Sequence, residues 1–466
     1  MGGTMKLHRS AKLPRLLVAG SLLGAAIVVE AASGLSASAS SKTSISVAYA
    51  VDTTFDTTPL ANKWWGALKK EFEAKYPNVT LVLDPIHGGE PDFLTKLALQ
   101  FKQSSPPDVI QFPSTEIALY QSSGYLKTMD QYLVGSGKSW FSQYPNVIQN
   151  EGKIGSHIYA VSAGENNNGL YYDKAILRKA GIKLPWQPTT WAGIISAAQA
   201  IKKAEPKVIP LWTDAGTSAG PNGAGYGILN LLAGSSNPTI QTGSGKMVVS
   251  SKGLLETLDF YHTVFADGLG APTSQLFSEN NAPNIPSTDF AKGTLGIAVA
   301  ANFIGGNWTK MVSFPYWPQA GTAIGVAGLP KINGGGYAST LSGWDFGISS
   351  KTKDATAAEN LINMMQEPTN MIEAANWAGW VPPVKSYWAN PLYANFDAPF
   401  AKEFGQLLPW SSELPSSANY SVWVQAIEQA SGTIAQTPST TGSAAMSQMK
   451  GYVTNQLGSS AVASLP

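Results

Sequence analysis

The amino-acid sequence predicts an α/β protein built from sheets that helices cover. Two observations carry this prediction. Short strand-like apolar runs alternate with amphipathic helix-like segments, which is the order expected of βαβ units. The hydrophobic fraction of 44% is close to that of globular proteins, and 466 residues suffice for two to three domains with sizeable cores.

The first five predicted elements alternate without a break. Residues 44–51 alternate between apolar and small polar side chains and predict a strand. Trp65, Leu68 and Phe72 recur at steps of three and four residues, which predicts an amphipathic helix with Trp65 in the core. Pro77 ends this pattern. A strand at 79–83, a helix at 94–101 and a strand at 109–112 follow.

The alternation continues through the rest of the chain. Thr189 or Thr190 can cap the N-terminus of a helix that runs to Ile201. Further predicted elements are a helix at 254–265, a strand at 295–300 and a helix at 355–366. Two segments rich in Asn, Gly and Ser are predicted to be loops with a functional role, namely 163–169 and 212–227.

The first 39 residues have the layout of a secretory signal peptide. Basic residues lie between Lys6 and Arg15, and an apolar stretch at 16–29 is shorter than the ~20 residues that span a bilayer. Small residues at 37–39 predict cleavage after Ala39. We therefore expect export to the periplasm, the cell surface or the exterior. The chain contains no cysteine, so we expect no lipid anchor through cysteine.

The composition argues against several classes of protein. With Lys+Arg 31 against Asp+Glu 30, the net charge of +1 offers no basic field for nucleic acid. The four histidines show no metal-ligand spacing, so neither a metal nor another cofactor is predicted. Charged residues make up 13% of the chain, about half the usual ~25%, and a neutral polar surface would suit an acidic exterior.

Two patterns leave a catalytic alternative open. Residues 216–220 (GTSAG) match the G-x-S-x-G motif of serine hydrolases, and Asp259 and His262 follow in the order of a catalytic triad. The segment that follows the motif is predicted to be loop rather than the helix that such a nucleophile requires, so we interpret the match as chance. Glu165 and Asp214 are the carboxylate pair that a carbohydrate-active hydrolase would use.

A series of short motifs occurs in an order that a known family shares. The motifs are WWGALKKEFEAKYPNVTLVL (64–83), PPDVIQF (106–112), GYLKTMDQYL (124–133), EGKIGSHIYAV (151–161), NGLYYDKAILRKAGIKLP (168–185), PTTWAGIISAAQAIK (188–202), DFAKGTLGIAVAANF (289–303), IGVAGLP (324–330) and LSGWDFGISS (341–350). Together they resemble the extracellular solute-binding proteins of ABC importers, in the carbohydrate-binding group that includes maltose-binding protein. The resemblance spans roughly residues 44–385.

The resemblance implies a two-lobed periplasmic-binding-protein fold. Each lobe is then a mostly parallel sheet flanked by helices, with a ligand cleft at the hinge, and the lobes close around the ligand. By similarity, the chain crosses between lobes near 165–166, 328–330 and 347–350. The expected division is a signal peptide at 1–39, an N-terminal lobe at 40–165 plus 329–347, and a C-terminal lobe at 166–328 plus 348–466.

A pyranose needs flat aromatic platforms for its C–H face and short polar side chains for its hydroxyls. Trp344 with Asp345 lies beside a predicted hinge, where the family often has a stacking aromatic residue. Trp380, after Trp377, is expected at the cleft by the same similarity. Trp212 with Asp214 ends a predicted strand, where ligands of open sheets bind. The alternative for each tryptophan is a place in the core.

Further candidate ligand contacts follow strands or lie in the Asn-rich segment. The amides of this segment suit hydroxyl recognition, and their alternative role is a turn rich in local hydrogen bonds. The candidates are Glu165, Asn166, Asn167, Phe112, Ser114, Glu116, Asn302, Phe303 and Asp52.

The sequence thus predicts the secreted substrate-binding component of an ABC importer. It would capture a mono- to oligosaccharide between two lobes and deliver it to the transmembrane subunits of the importer. We expect a monomer that performs no chemistry and binds no nucleic acid. The alternative is an extracellular carbohydrate-active hydrolase.

Overall fold

The structure is a computed structural model. It describes residues 42–51, 58–104, 106–133, 140–218, 221–278, 285–309, 316–395, 400–415, 417 and 419–466. The predicted signal peptide and Asp52 therefore lie outside the described residues. Within these ranges, no helix is both long and apolar enough to cross a membrane.

The described residues contain strands of two to nine residues. They are β1 Thr43–Val51, β2 Val79–His87, β3 Val109–Pro113, β4 Leu126–Lys127, β5 Lys153–Ile154, β6 His157–Ile158, β7 Ala160–Asn166, β8 Asn168–Asp173, β9 Ile209–Trp212, β10 Met247–Ser250, β11 Leu295–Ala301, β12 Ile324–Ala327, β13 Ser339–Thr340, β14 Ser342–Ser349, β15 Ser411–Ser412 and β16 Val462–Ser464.

The helices between them range from single turns to the 18 residues of the first helix. They are α1 Thr58–Lys75, α2 Glu90–Phe101, α3 Ile117–Ser122, α4 Asp130–Leu133, α5 Asn146–Glu151, α6 Lys174–Lys179, α7 Trp191–Ala204, α8 Pro221–Tyr226, α9 Ile228–Gly234, α10 Lys252–Ala266, α11 Thr273–Leu276, α12 Ile285–Ala291, α13 Phe303–Gly306, α14 Ala320–Ala323, α15 Ala355–Met365, α16 Pro368–Ala378, α17 Pro391–Asn395, α18 Ala401–Leu407, α19 Tyr420–Gln436 and α20 Gly442–Leu457.

The helical periodicity read from the sequence is confirmed in α1. Trp65, Leu68 and Phe72 are at most 1% exposed, and the Trp65 ring stacks on Tyr49 of β1 with ring centroids 4.1 Å apart. Burial of each such side chain contributes about 1.5–3 kcal/mol. The predicted cap is confirmed as well, since the Thr190 side chain accepts a hydrogen bond from the Gly193 N–H at the start of α7.

The first sheet has the strand order β2-β1-β3-β14-β4, and β7 also pairs with β14. Strand β1 runs parallel to β2 and β3, whereas β14 is antiparallel to β3, β4 and β7. Helices α1 and α2 pack on its β1–β2 side, and α15 packs on β14. The carboxyl ends of β1 and β3 therefore open toward the same edge of the sheet.

The second sheet has the order β12-β8-β11-β9. Only β9 and β11 are parallel, because β8 is antiparallel to both of its neighbours. This sheet is thus more mixed than the mostly parallel sheet that we expected. The reason is connectivity: β8 follows β7 with one residue between them, so it enters the second sheet directly from the first and not by a helical crossover.

The chain passes between the two sheets at two places before the end of β14. Strand β7 belongs to the first sheet and β8 to the second, so the chain crosses at 166–168. It returns between β12 and β14, at 328–341.

At 347–350, where we expected a third crossing, the chain stays with the first sheet. Ser349 still pairs with Leu126 of β4, and α15 and α16 then pack against α1. Their apolar faces cover the first sheet, so residues 355–378 lie with that sheet rather than in a C-terminal lobe of 348–466. The chain reaches the second sheet later, through α18, which packs on β8. The other predicted lobe limits stay predictions.

Both segments that we predicted to be loops contain regular structure. Residues 163–169 form the end of β7 and the start of β8, and the segment 212–227 contains the helix α8. Asn167 and Asn168 have tertiary partners in place of local turns: the Asn167 Nδ2 donates to the Phe404 carbonyl at 2.9 Å, and the Asn168 N–H donates to the Ser339 hydroxyl at 2.8 Å. These distant partners remove the need for a turn.

Candidate functional site

A cavity of about 160 Å³ lies where elements of the two sheets meet. Strands β1, β3 and β14 and helix α2 contribute from the first sheet, and helices α8 and α13 contribute from the second. The C-terminal end of α16 closes a further side. Its described lining residues are Ala50, Gly88, Glu90, Phe93, Gln111, Asn166, Tyr226, Phe303, Gly306, Asn307, Thr309, Trp344, Asn376, Trp377, Ala378, Gly379 and Trp380.

Aromatic rings enter the cavity as three pairs. Phe93 of α2 packs edge to face on Trp344 with ring centroids 5.3 Å apart. On the second-sheet side, Tyr226 and Phe303 pack edge to face, also at 5.3 Å. Trp377 and Trp380 form the third pair at 6.0 Å. Flat apolar rings on several sides suit a ligand with apolar C–H faces.

Three buried polar atoms of the lining side chains have no hydrogen-bond partner among the described residues. They are Asn166 Oδ1, Asn376 Oδ1 and Trp377 Nε1. Asn166 is 8% exposed and Asn376 is 7% exposed, so water reaches these side chains poorly. An unmade hydrogen bond of a buried group costs about 1–3 kcal/mol. Two acceptors and one donor on lining side chains therefore have no protein partner among the described residues.

The alternation of β14 decides which of two predicted residues lines the cavity. Side chains on a strand point alternately to opposite faces. Trp344 faces the cavity, whereas Asp345 is 1% exposed and does not belong to the lining. The structure therefore brings Trp344 but not Asp345 to the cavity, and their contact with a ligand stays a prediction.

Trp380 reaches the cavity through a left-handed residue at the end of α16. Gly379 has φ 71°, a conformation that favours glycine, and a Cβ there would lie 3.1 Å from Phe303 Cβ. The chain turns sharply at this residue and then pairs Val381 with Glu165 of β7. Trp377 and Trp380 thus lie on the same wall although α16 ends between them.

Asn302 and Asn167 hold the walls together rather than line the cavity. Asn302 Oδ1 accepts a hydrogen bond from the Asn167 N–H at 3.0 Å, and its Nδ2 donates to the Gly379 carbonyl at 2.7 Å. The end of β11 is thereby bonded both to the crossing between β7 and β8 and to the end of α16. In this structure the two residues have a supporting role, and direct contact with a ligand stays a prediction.

Three other candidates belong to the interior. Phe112 and Trp212 are fully buried, and Phe112 packs on the Tyr120 ring at 5.2 Å. Both side chains lie in the core, which for Trp212 is the alternative given above. Asp214 is 6% exposed and lies beside Trp212, and burial raises its pKa to about 7. None of the three is a lining residue of the cavity.

Glu165 is also fully buried and is not a lining residue. Burial, followed by the charge of Glu151, raises its pKa well above the usual range of a glutamate. Burial likewise raises the pKa of Glu116, which is partly exposed and lies outside the cavity. Ser114 lines two small extensions of about 20 and 30 Å³, the nearer of which shares Asn166 and Trp344 with the cavity.

Asn166, Phe303, Trp344 and Trp380 are the predicted residues that the structure brings to the cavity. Sequence reasoning missed Phe93, Tyr226, Gln111, Asn376 and Glu90. Tyr226 lies in the segment 212–227, for which the sequence predicts a functional role but does not single out this tyrosine. Phe93 and Glu90 start a helix directly after β2, which is a position where ligands of open sheets bind. Among the described residues, no group of three metal-ligating side chains is arranged to hold a metal ion.

Comparison with known proteins agrees with this architecture. A relative from Deinococcus radiodurans, a probable ABC transporter-binding protein, is 24% identical over 258 residues, which are 53% of this chain and 56% of the relative. The multiple sugar-binding protein of Streptococcus mutans is 27% identical over 135 residues, 28% of this chain and 29% of that protein. The chain thus matches about half the length, or less, of these curated relatives.

Solved structures show the same fold. The sugar-binding protein MalE of Xanthomonas citri superposes with a TM-score of 0.73 at 19% identity, covering 89% of this chain and 97% of that one. The cyclic α-maltosyl-1,6-maltose binding protein of Arthrobacter globiformis gives a TM-score of 0.70 at 18% identity, with coverages of 88% and 99%. The fold is therefore the two-lobed fold of these binding proteins.

A family model described as bacterial extracellular solute-binding protein matches residues 56–372. This match covers more than half of the chain, including all four strands of the second sheet, whereas β1 and the Trp377–Trp380 wall of the cavity lie outside the matched residues. The protein therefore belongs to the bacterial extracellular solute-binding proteins.

Proposed function

We propose that this protein is the carbohydrate-binding component of an ABC importer. The observation that carries the proposal is the cavity, which combines three aromatic pairs with three buried polar atoms that have no partner in the part of the chain that the structure describes. A neutral sugar matches both features, because its C–H faces pack on rings and its hydroxyls both donate and accept hydrogen bonds. Sugar-bound relatives of the same fold support the choice.

The cavity volume supports a short ligand. One water molecule needs about 10–15 Å³ of such volume, so about 160 Å³ holds on the order of ten waters. This number is close to the number of heavy atoms in one hexose unit. We infer that one pyranose ring occupies the aromatic cavity and that any further ring of an oligosaccharide extends over Ser114.

Binding without chemistry is the second part of the proposal. Glu165 and Asp214, the carboxylates nominated for a hydrolase, are buried away from the cavity. The helix α8 does follow the GTSAG motif, contrary to our prediction, but the Ser218 hydroxyl donates to the Leu276 carbonyl at 2.5 Å. Glu90 is the one carboxylate of the described lining, and hydrolysis of a glycoside ordinarily uses two carboxylates.

Membership of an extracellular family supports export, and the predicted signal peptide gives the route. We infer that the protein acts as a monomer and delivers its ligand to the transmembrane subunits of the importer. Closure of the two lobes on the sugar would then favour docking on these subunits, since a ligand shifts the population toward the state that it contacts best.

The proposal is tested by thermal unfolding of residues 40–466 with neutral sugars, amino acids and sugar phosphates. A ligand at about 100 times its dissociation constant adds about 2.7 kcal/mol to the free energy of unfolding. One neutral sugar class should raise the midpoint and be recovered unchanged. Consumption of the sugar would identify an enzyme, and stabilisation only by amino acids or phosphates would contradict the carbohydrate assignment.

A tryptophan pair provides the matched variants. Trp344→Ala removes a cavity ring and should weaken sugar binding by about tenfold or more, because one stacked aromatic contributes about 0.5–1.5 kcal/mol beyond its buried area. Trp410→Ala removes an exposed tryptophan that is not a lining residue and should leave the affinity unchanged. Equal losses in both variants would show that the cavity is not the binding site. Isothermal titration measures both affinities.

A further inference from the structure

Three acidic side chains come together behind the wall of the cavity. Glu165 of β7 is fully buried, and Asp345 of β14 is 1% exposed. Glu151, at the end of α5, is partly exposed, but its Oε2 is buried. The strands bring the first two together, because Glu165 pairs with Gly343 two residues before Asp345. A Cβ on Gly343 would lie 2.7 Å from Glu165 Oε2, so the carboxyl group packs directly on this glycine.

The cluster has no compensating positive charge. Within the described part of the chain, the ion pairs of lysine, arginine and histidine involve none of the three acids. Both oxygens of Glu165, Oδ2 of Asp345 and Oε2 of Glu151 accept no well-aligned hydrogen bond from a described donor, although the Ser162 hydroxyl lies close enough to Glu165 to lower its pKa. A buried carboxylate without a cation is strongly disfavoured, whereas a neutral carboxyl can donate to a neighbouring oxygen.

Glu165 connects this cluster to the wall of the cavity. Its N–H donates to the Val381 carbonyl at 3.0 Å, and the Val381 N–H donates to its carbonyl at 2.8 Å. Val381 directly follows Trp380. The preceding residue, Gly164, lies against the same tryptophan, since a Cβ there would lie 2.5 Å from Trp380 Cε3. A change in the backbone at Glu165 therefore moves the Trp380 ring that lines the cavity.

We propose that Glu165 positions the Trp380 wall of the cavity only as a neutral carboxyl, so that neutral pH loosens this wall and acidic pH secures it. This inference rests on the proposed function for its consequence, namely stronger sugar binding in an acidic exterior. Glu165 is a positioning residue, because it touches the wall and not the cavity.

The groups that face Glu165 act in the same direction. Burial is the largest effect that raises the pKa of Glu165, and the charge of Glu151 is the next largest. The charge of Asp345 raises this pKa further, whereas the Ser162 hydroxyl lowers it. Burial and Glu151 raise the pKa of Asp345 as well. Burial raises the pKa of Glu151 to about 7. Four further titratable groups lie around the cluster, namely Tyr144, Tyr387, Glu413 and Lys153. Glu413 acts on Glu151, and Lys153 acts on Glu413.

The direction of the pH effect follows from these groups. An acid whose pKa is raised in the closed wall holds its proton there and releases it when the wall opens. Opening therefore becomes more favourable as pH rises above the ordinary pKa of a glutamate. For each proton that is bound in the closed wall and released from the open one, the equilibrium constant for opening rises by up to about tenfold per pH unit.

Hydrogen exchange of the Glu165 and Val381 amides measures this opening without any ligand. After correction for the intrinsic rate, protection of both amides in residues 40–466 should fall by about tenfold or more between pH 5 and pH 7. In Glu165→Gln the side chain is neutral at every pH, so the fall in protection should be smaller than in the parent, by up to about tenfold per pH unit, and Glu151 and Asp345 account for the part that remains. Glu373→Gln, which alters an exposed glutamate on α16, should behave as the parent protein does.

Two results would overturn the proposal. One is constant protection of the two amides in the parent protein across this pH range. The other is a pH dependence in Glu165→Gln equal to that of the parent. If Glu165→Gln does not fold, Asp345→Asn removes a second member of the cluster and should reduce the pH dependence in the same way; an undiminished dependence there contradicts the proposal.

Sugar binding separates this inference from the proposed function. Titration of maltose and mannobiose at pH 5 and pH 7 should give weaker binding at pH 7 in the parent and a smaller difference between the two pH values in Glu165→Gln. Binding that is equal at both pH values in the parent, with exchange that changes, would contradict the link between the cluster and the cavity. Failure of every sugar to bind at either pH contradicts the proposed function, while the exchange result still decides the positioning role.

Discussion

A second pair of buried acids, Asp214 and Glu428, gives a prediction about stability that does not involve the cavity. Glu428 of α19 is 3% exposed, and its Oε1 accepts a hydrogen bond from the Ala224 N–H at 3.1 Å. Burial raises its pKa from the ordinary 4.5 to about 8. The Ala224 hydrogen bond lowers this pKa, and the charge of Asp214 raises it further. The pKa of Asp214 itself rises from 3.8 to about 7.

The perturbation is Glu428→Gln, which keeps the shape of the neutral acid and its acceptor oxygen. In the parent protein, the folded state holds the Glu428 proton up to about pH 8, whereas the unfolded state releases it near pH 4.5. The stabilising effect is thus complete below the unfolded pKa and is lost as pH rises toward the folded pKa. The loss amounts to about 1.4 kcal/mol per pH unit, on the order of 5 kcal/mol in total.

The assay is urea unfolding at pH 4.5, 5.5, 6.5 and 7.5, followed by tryptophan fluorescence. The free energy of unfolding of Glu428→Gln should fall less steeply with pH than that of the parent, by about 1.4 kcal/mol per pH unit between pH 5.5 and 6.5. The exposed Glu373→Gln serves as the control and should follow the parent. Parallel curves for the parent and Glu428→Gln would refute the reasoning, even if the variant is less stable at every pH.

Two further predictions concern the walls of the cavity. Gly164→Ala places a Cβ 2.5 Å from the Trp380 ring, so the ring must shift. Sugar affinity measured by titration should fall by about tenfold or more. Unchanged affinity would mean that this ring does not contact the ligand. Asn302→Ala removes the 2.7 Å hydrogen bond to the Gly379 carbonyl and the hydrogen bond from the Asn167 N–H. Urea unfolding should therefore show a free energy of unfolding lower by about 1–3 kcal/mol. A decrease below about 0.5 kcal/mol would contradict the supporting role.

Periodicity predicted the individual elements well. Trp65, Leu68 and Phe72 share one face of α1 because their spacing matches the helical repeat, and burial against β1 follows directly from it. The same holds for the alternating strand β1 and for Thr190, whose side chain caps α7. These features depend on neighbours within a few residues, so the local sequence contains the information.

Composition alone misjudged the segments around the crossing. Three consecutive asparagines favour a turn when they must satisfy their own backbone, yet Asn167 and Asn168 lie in or between strands. Phe404 and Ser339, more than 170 residues away in the chain, supply the partners in this structure. No local pattern reports a hydrogen bond to a residue so distant.

The sequence by itself determined the α/β class, the faces of the helices and strands, and the resemblance that pointed to a solute-binding protein. Only the tertiary structure decided which aromatic residues meet: it brings Phe93, Tyr226 and Trp377 to the cavity beside Trp344 and buries Trp212 and Phe112 in the core. The physical reason is that periodicity sets which side chains are turned inward, while sheet pairing and the crossings between lobes set whether the inward side meets a core or a cleft.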